Sequence, residues 1–217
     1  MMNKYLFSGL AIGLISVLSA CDCNHDLHPA ISVGNLVCAD GSIISASNVQ
    51  NSPSMPVAVV FHVNENPDAD GLGYAVWLNE MPPVALADSL GVSQNTSVSL
   101  QDFEGNANTY SMFIGDVPSP AARQVFSMWS HGQSAYIPSM GQIRLLYKTR
   151  EIINPIILKS GGDIIPLDDN ACWYWTSTEV AGQEPYKAWL YSLGAGQGLE
   201  TPKDENHKIR PIITITD

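Results

Sequence analysis

Two acidic segments of this 217-residue chain carry oxygen ligands at spacings that could hold a calcium ion. The first, NENPDADG, places Asn64, Asn66, Asp68 and Asp70 at alternating positions before Gly71. Amide or carboxylate oxygens at every second position, followed by a glycine that permits a sharp turn, are features of calcium-binding loops. The distant bidentate glutamate of such loops is missing. Asp68 and Asp70 are therefore candidate calcium ligands, and an ordinary acidic turn is the alternative.

A second oxygen-rich region combines residues 168–170 with Glu179 and Glu184. Sugar-binding C-type lectins hold calcium with a Glu-Pro-Asn or Gln-Pro-Asp loop, and Glu184 followed by Pro185 is similar to the start of that loop. Tyr186 stands where the third ligand would be. Glu179 and Glu184 are the second pair of candidate calcium ligands, again with a solvated acidic loop as the alternative. Calcium is thus a possible cofactor, and no other cofactor is indicated.

The segment CWYWTSTE, residues 172–179, could form an aromatic binding surface, a nucleophile site or part of a core. A large aromatic residue in an apolar strand usually packs inward, so we expect Trp175 to fill the core. Strand alternation places Trp173 on the same face and Tyr174 on the other, so Tyr174 is the better candidate for exposure. Aromatic faces are suited to glycan binding, and the candidate ligand-binding residues are Tyr174, Tyr186 and Tyr191.

Motifs of catalytic chemistry are missing from the sequence. No serine lies in a Gly-x-Ser-x-Gly elbow, and sequence alone does not place two carboxylates across a glycosidic bond. The segment CDCNHDLH, residues 21–28, offers zinc ligands, but its position as a tether argues against a zinc site. We therefore expect a protein that is not an enzyme.

The N-terminal segment predicts export and lipidation. Lys4 precedes a short apolar run over residues 6–18, and Leu-Ser-Ala follows before Cys21. Small residues before a cleavage point are typical of a secretory signal. A cysteine directly after them resembles the bacterial lipobox, in which that cysteine receives the lipid. We predict lipidation at Cys21 and attachment to a membrane of the bacterial cell envelope, at the outer membrane or cell surface, with plain signal cleavage as the alternative.

The predicted domains are a signal peptide over residues 1–20, a lipidated cysteine and tether over 21–32, and a single domain over 33–217. The mature chain would carry nine Lys and Arg against 21 Asp and Glu, a formal charge near −12. Such a field repels nucleic acid, which we exclude as a partner. Apart from Cys21, the chain has three cysteines, Cys23, Cys38 and Cys172. Because their number is odd, their pairing stays open.

Strands surround a smaller number of helices along the chain. Apolar, β-branched and aromatic runs predict strands at 33–45 (a hairpin), 57–63, 73–79, 172–176, 187–193 and 208–215. Capping residues and apolar spacing predict helices at about 120–131, from Ser139 onward, and from Asn154 to Gly161. Residues 81–110 show no sustained period and are expected to be irregular. Without regular strand–helix alternation, the fold class is α+β.

Several segments resemble those of one protein family. They are DFEGNANT (102–109), YIPSMGQIRLLYKTREIINPII (136–157), YWTSTE (174–179), KAWLYSLGAGQG (187–198) and HKIRPI (207–212). The family is named for the C-terminal domain of the Lcl collagen-like adhesin. In the second segment Ile137 and Ile143 replace the usual leucines, and Gln142 replaces the usual glutamate.

This resemblance implies a C-type-lectin-like fold with irregular antiparallel sheets and two to three short helices, related to that of the sulfatase-modifying enzymes. Those relatives use a pair of cysteines near the C-terminus. Here only Cys172 lies in that half of the chain, so their activity is not carried over. The residues that match the structural signature are Trp175, Ser177, Thr178, Glu179, Trp189 and Arg210.

These observations favour a surface-anchored, non-catalytic binding or adhesion module, with an extracellular glycan or protein as partner. The alternative is a structural subunit of an adhesive fibre or envelope assembly that works through protein–protein contacts, and an enzyme is the third possibility. A binding module should have a concave aromatic or calcium site. A structural subunit should have a broad apolar patch or an unpaired edge strand.

Overall fold

Among the described residues, two five-stranded sheets and three α-helices form the α+β fold that the sequence predicts. The computed structural model describes residues 31–66, 71–130, 133–168 and 170–216. The first sheet has the strand order β12-β4-β3-β1-β2 and is antiparallel throughout. Its strands are β1 (Leu36–Cys38), β2 (Ile43–Ile44), β3 (Pro56–Val63), β4 (Gly73–Trp77) and β12 (Ile212–Ile215). A 3-10 helix spans Ala46–Asn51.

The second sheet has the order β10-β9-β8-β11-β5, and only its β8–β11 pair is parallel. Its strands are β5 (Met81–Ala85), β8 (Trp173–Glu179), β9 (Lys187–Ser192), β10 (Gly198–Pro202) and β11 (Asn206–Ile209). A small hairpin pairs β6 (Trp129–Ser130) with β7 (Gln133–Ser134). The helices are α1 (Gly105–Ile114), α2 (Pro120–Phe126) and α3 (Met140–Lys159).

Both faces of the second sheet are covered by other elements. On one side, Tyr174 of β8 and Tyr191 of β9 lie in a cluster with Ile143 and Leu146 of α3 and with side chains of the first sheet. On the other side, Trp175 packs with Leu190 and with the small and apolar residues of α1 and α2. A strand that is buried on both faces carries apolar residues at successive positions, which explains the aromatic run in β8.

The start of α3 follows its sequence signal closely. Ser139 accepts a hydrogen bond from the Gln142 backbone, and the Gln142 side chain accepts one from the Ser139 backbone, which completes the predicted capping box. Ser119 caps α2 with one hydrogen bond, which its side chain accepts from the Ala122 backbone, and Pro120 occupies the first helical position. α2 ends at Phe126, five residues before the predicted end, and the chain then enters β6.

The third predicted helix does not exist as a separate element. Asn154 and Pro155 lie inside α3, which continues without a break to Lys159. Instead of capping a new helix, the Asn154 side chain exchanges two hydrogen bonds of 2.9 Å with the backbone of Ile165. The segment after α3 is thereby held against the side of the helix.

Two further differences have simple physical causes. The predicted strand over 208–215 is divided at Arg210 and Pro211, where the chain leaves the second sheet and enters the first. Within the stretch expected to be irregular, β5 forms at the edge of its sheet, where Pro82 and Pro83 are tolerated. α1 also begins there, and it was not predicted because its buried positions include Asn108 and Thr109, with Met112 as the one large apolar residue among them.

The described cysteines are free and buried. Cys38 and Cys172 are both buried and are not joined to each other, and Cys23 lies outside the described residues. Among the described helices, none combines the length and the apolar character needed to cross a bilayer. The predicted signal peptide, Cys21 and most of the tether lie in the segment 1–30, outside the described residues.

Candidate ligand and contact surfaces

The three tyrosines proposed as ligand-binding residues do not form one surface. Tyr186 is half exposed, whereas Tyr174 and Tyr191 are buried. The expectation that Tyr174 is an exposed aromatic is wrong, because α3 covers the face of β8 that strand alternation left open. Its hydroxyl donates a 3.0 Å hydrogen bond to Glu80, and burial together with the charge of Glu80 raises the pKa of Tyr174.

Tyr191 also has a structural role. Its ring packs edge-on against Tyr147 of α3, with 6.1 Å between ring centroids. The Arg150 guanidinium lies 3.9 Å from the centroid of the same Tyr147 ring. Burial raises the pKa of the Tyr191 hydroxyl. These contacts join β9 to α3 and leave the ring faces of Tyr191 unavailable to a ligand.

Glu179 is engaged by protein donors rather than placed to bind a metal ion. Its Oε1 lies 2.7 Å from Lys203 Nζ, and neither side chain is exposed. The same carboxylate accepts hydrogen bonds from the backbone of Gln94 and Thr96 and from the Ser93 hydroxyl, at 2.8, 3.3 and 2.9 Å. The two oxygens therefore have their hydrogen-bonding capacity filled.

The second candidate calcium ligand of this region, Glu184, accepts a 2.9 Å hydrogen bond from the Gly182 backbone, and backbone hydrogen bonds lower its pKa. Across the described part of the chain, no group of three or more His, Cys, Asp or Glu side chains is arranged to hold a metal ion. Asp68 and Asp70 lie outside the described residues. The second acidic region is thus not assembled as a calcium site through Glu179.

The signature residues connect β8 to the helices. Trp175 is fully buried and its indole N–H donates to the carbonyl of Val84 at 3.0 Å. The register between β8 and β9 shifts after Trp175, and the Thr178 hydroxyl there accepts a hydrogen bond from the backbone N–H of Met140. Thr178 thereby satisfies a donor in the first turn of α3 that has no partner within the helix.

Ser177 and Arg210 make equivalent connections elsewhere. The Ser177 hydroxyl accepts a 3.4 Å hydrogen bond from Asn108 of α1. Arg210 is fully buried where the chain changes sheets, and its guanidinium donates to the carbonyls of Leu78 and Asp163. Burial lowers the pKa of Arg210. Trp189 is half buried against the first core cluster. The signature therefore describes how the fold is held together.

A cleft lies between α1 and α2 in the described part of the chain, and the sequence did not indicate it. It has a volume of about 360 Å³ and its lining combines aromatic and polar side chains. They are Glu104, Asn106, Ala107, Tyr110, Phe126 and Ser134. We call this feature the α1–α2 cleft.

The orientation of α1 creates this cleft. Asn108, Thr109 and Met112 are buried, whereas Tyr110, Phe113 and Ile114 are exposed. Asn108 accepts a hydrogen bond from the Ser97 backbone, and Thr109 donates to the Gly105 carbonyl and accepts from Ile137. Polar residues thus anchor the helix and aromatic residues point to solvent, which is the reverse of the usual amphipathic pattern.

A second exposed surface lies on the last half of α3, and we call it the α3 surface. Its exposed apolar residues are Ile152, Pro155, Leu158, Ile164 and Leu167. The bonds between Asn154 and Ile165 hold the segment that carries Ile164 beside the helix. Helix α3 also contains four of the cationic residues of the chain against one acidic residue. Lys159 is the exposed cation of this surface, and Glu151, Asp163 and Asp168 are exposed beside it, so the surface is apolar with mixed charge.

Comparison with known proteins finds similarity among solved structures. No protein family model and no curated protein matches the chain. Among solved structures, it is similar to the crystal structure of a fimbrial protein from Bacteroides ovatus ATCC 8483, with a TM-score of 0.64 and 19% sequence identity. The similarity covers 84% of this chain and 48% of that protein, so the chain spans about half the length of the fimbrial protein. At this level of identity, the likeness shows the fold alone.

Proposed function

We propose that this chain is a non-catalytic surface protein that acts as a structural subunit of an adhesive fibre or envelope assembly. In this proposal, Cys21 attaches the mature chain to a membrane of the cell envelope, and the folded domain contacts neighbouring protein subunits. The observation that carries the proposal is the α3 surface, where apolar side chains of α3 and of the segment after it are exposed to solvent.

The α3 surface has the composition of a protein contact. Ile152 and Leu158 are 60% and 66% exposed, and Ile164 and Leu167 beyond the helix are 49% and 54% exposed. Single exposed apolar residues are ordinary, but a group of them on the last half of one helix and the segment that follows it is typical of protein–protein interfaces. Burying such a group against another protein removes apolar area from water and favours association.

Charge favours a partner of the same kind. Lys148 and Lys159 lie exposed on α3, whereas the mature chain as a whole is strongly acidic. These two lysines can pair with acidic groups of another copy, and the apolar side chains of the α3 surface supply area that the contact would bury. A contact between two different surfaces of the same chain repeats from copy to copy and can build a filament.

The structural similarity to a fimbrial protein supports this assignment. The predicted lipobox at Cys21 supports a location in the bacterial cell envelope, and the proposed membership of the Lcl C-terminal domain family supports an extracellular role. The acidic charge disfavours nucleic acid as a partner. Calcium is not required by this proposal.

Sedimentation of the purified chain over a range of concentrations tests the proposal, with electron microscopy of the largest species. We expect concentration-dependent association that is lost in the double variant Ile152→Asp/Leu158→Asp. Val92→Asp serves as the control, because Val92 is a comparably exposed apolar residue on a different loop. A chain that stays monomeric at every concentration, or association that survives the double variant, would contradict the proposed use of the α3 surface.

Glycan recognition is a second candidate function, and the α1–α2 cleft is the observation that favours it. Aromatic and polar side chains line the same concavity, as they do in small-ligand sites. Screening the full chain on a glycan array, with calcium and then with a chelator, tests this function. Binding to any glycan supports this function. Binding that is lost when calcium is chelated would support a calcium site in one of the acidic loops.

A further inference from the structure

We propose that the α1–α2 cleft is a subsite for one neutral pyranose ring, an inference that rests on glycan recognition as the second candidate function. Tyr110 and Phe126 supply the apolar walls of the subsite. Glu104, Asn106 and Ser134 supply polar groups for the sugar hydroxyls.

The aromatic walls are placed by packing contacts outside the cleft. Phe126, at the end of α2, is half buried and packs edge-on against Phe113 with 5.1 Å between ring centroids. This contact fixes the orientation of the Phe126 ring. Tyr110 is 56% exposed and lies one helical turn before Phe113 and Ile114. The C–H groups on one face of a pyranose pack well against such aromatic surfaces, and the tyrosine hydroxyl adds a hydrogen-bonding group.

The polar side chains of the cleft have unused hydrogen-bonding capacity. Those of Glu104, Asn106 and Ser134, and the hydroxyl of Tyr110, make no hydrogen bond to another described residue. By contrast, Asn108 on the inner side of the same helix is bonded to the Ser97 backbone and to Asp102. Polar groups that line a concavity without protein partners are available to a ligand, and a sugar offers hydroxyl donors and acceptors to match them.

Charge and volume define the class of sugar. Glu104 is the one ionisable acid in the lining, and the mature chain carries a strongly negative field. Uronic acids, sialic acids and sulfated sugars would therefore be repelled, whereas neutral sugars would not. The volume of about 360 Å³ lies near the lower end of ligand pockets, roughly 300–1,000 Å³, which suits a single ring rather than a long oligosaccharide.

Saturation-transfer NMR on the full chain tests the inference. The probes are the methyl glycosides of glucose, galactose, mannose and N-acetylglucosamine, together with glucuronic acid and sialic acid. We expect transfer to at least one neutral glycoside, and Tyr110→Ala should weaken its binding by roughly tenfold or more. Leu199→Ala is the control, because Leu199 is a comparably exposed large side chain on β10, away from the cleft.

Glu104→Gln tests the charge argument separately. The amide keeps a hydrogen-bonding group but removes the negative charge, so we expect the neutral sugar to remain bound and the discrimination against acidic sugars to weaken. Circular dichroism establishes that each variant is folded before binding is compared.

Each outcome decides a different point. Binding confined to acidic sugars would overturn the ligand class while preserving glycan recognition. Neutral-sugar binding that is unaffected by Tyr110→Ala would overturn the assignment of the cleft. Transfer to none of these probes would overturn the inference, whereas a positive array with larger glycans would still support glycan recognition.

Discussion

Glu179 and Lys203 form an ion pair of 2.7 Å in which both side chains are completely buried. Lys203 also donates a 3.1 Å hydrogen bond to the Val92 carbonyl, and Glu179 accepts from the backbone of Gln94. The pair therefore joins three separate segments: the end of β8, the loop over residues 92–96 and the turn between β10 and β11. Two charges without solvent contact are tolerated because each is compensated by the other and by hydrogen bonds.

Removing one partner of this pair should destabilise the fold strongly. Lys203→Met leaves the Glu179 carboxylate buried without a counter-charge, and we expect a loss of about 3–5 kcal/mol in the free energy of unfolding. Chemical denaturation at neutral pH measures this loss. The exposed pair between Lys187 and Glu200 provides the control, and Lys187→Met should cost less than about 1 kcal/mol.

A double variant separates charge from packing. Glu179→Gln in the Lys203→Met background removes the uncompensated charge, so part of the lost stability should return. If the double variant is as unstable as the sum of the two single variants, the penalty does not come from an unpaired buried charge.

Tyr174 should make the fold sensitive to alkaline pH. Burial, followed by the charge of Glu80, raises the pKa of Tyr174 above its ordinary value of 10.0. Above about pH 10 the unfolded chain therefore releases this proton while the folded chain keeps it, and stability falls as pH rises. The contribution is fully present below pH 10, so no effect of Tyr174 ionisation is expected at neutral pH.

The variant Tyr174→Phe tests this linkage. At neutral pH it should cost about 1 kcal/mol, because the hydrogen bond to Glu80 is lost. Within about one pH unit of the ordinary tyrosine pKa of ~10, the unfolding free energy of this variant should fall less steeply with pH than that of the parent chain. Phe61→Leu, a core variant without a titrating group, should lower stability without changing the slope. Equal slopes for Tyr174→Phe and the parent chain would contradict the assignment.

Local signals predicted the parts of the fold that depend on neighbouring residues. The capping box at Ser139, the helix start at Pro120 and the apolar strand β3 each follow from a few consecutive residues. The roles of Glu179 and Tyr174 could not be predicted in this way. Lys203 lies 24 residues from Glu179, and the exposure of Tyr174 depends on whether α3 covers that face of β8.

The α1–α2 cleft was missed for a related reason. Apolar periodicity detects a helix when its apolar side faces a core. In α1, the inward positions include Asn108 and Thr109, whereas Tyr110 and Ile114 face solvent. The resemblance of residues 102–109 to a family loop that ends in Asn-Thr did not predict a helix, whereas residues 105–109 form the first half of α1.

Two asparagines of α1 should differ in their contribution to stability, because one faces inward and the other faces solvent. Asn108 is buried and bonded to Ser97, Asp102 and Ser177, so Asn108→Ala should cost about 1–3 kcal/mol by leaving these groups unsatisfied. Asn106 is exposed, and Asn106→Ala should change stability by less than about 0.5 kcal/mol. Thermal and chemical unfolding of the two variants compare these costs directly. Similar losses for both would show that the polar contacts do not anchor the helix.

Replacing Pro155 tests whether α3 is one continuous helix or two separate helices. In a continuous α3, Pro155 lacks the N–H that would bond to the Glu151 carbonyl, and its ring crowds that carbonyl. Pro155→Ala should therefore stabilise the fold by roughly 1–3 kcal/mol, even after the greater freedom of the unfolded chain is included. If Pro155 instead opened a separate helix after Asn154, as the sequence pattern suggested, its fixed φ would be an advantage and the same change would destabilise.

Ile152→Ala, at an exposed site three residues earlier, should stay within about 0.5 kcal/mol of the parent chain and controls for the loss of exposed apolar surface. The sign of the change in unfolding free energy, measured in denaturant, decides between the two arrangements.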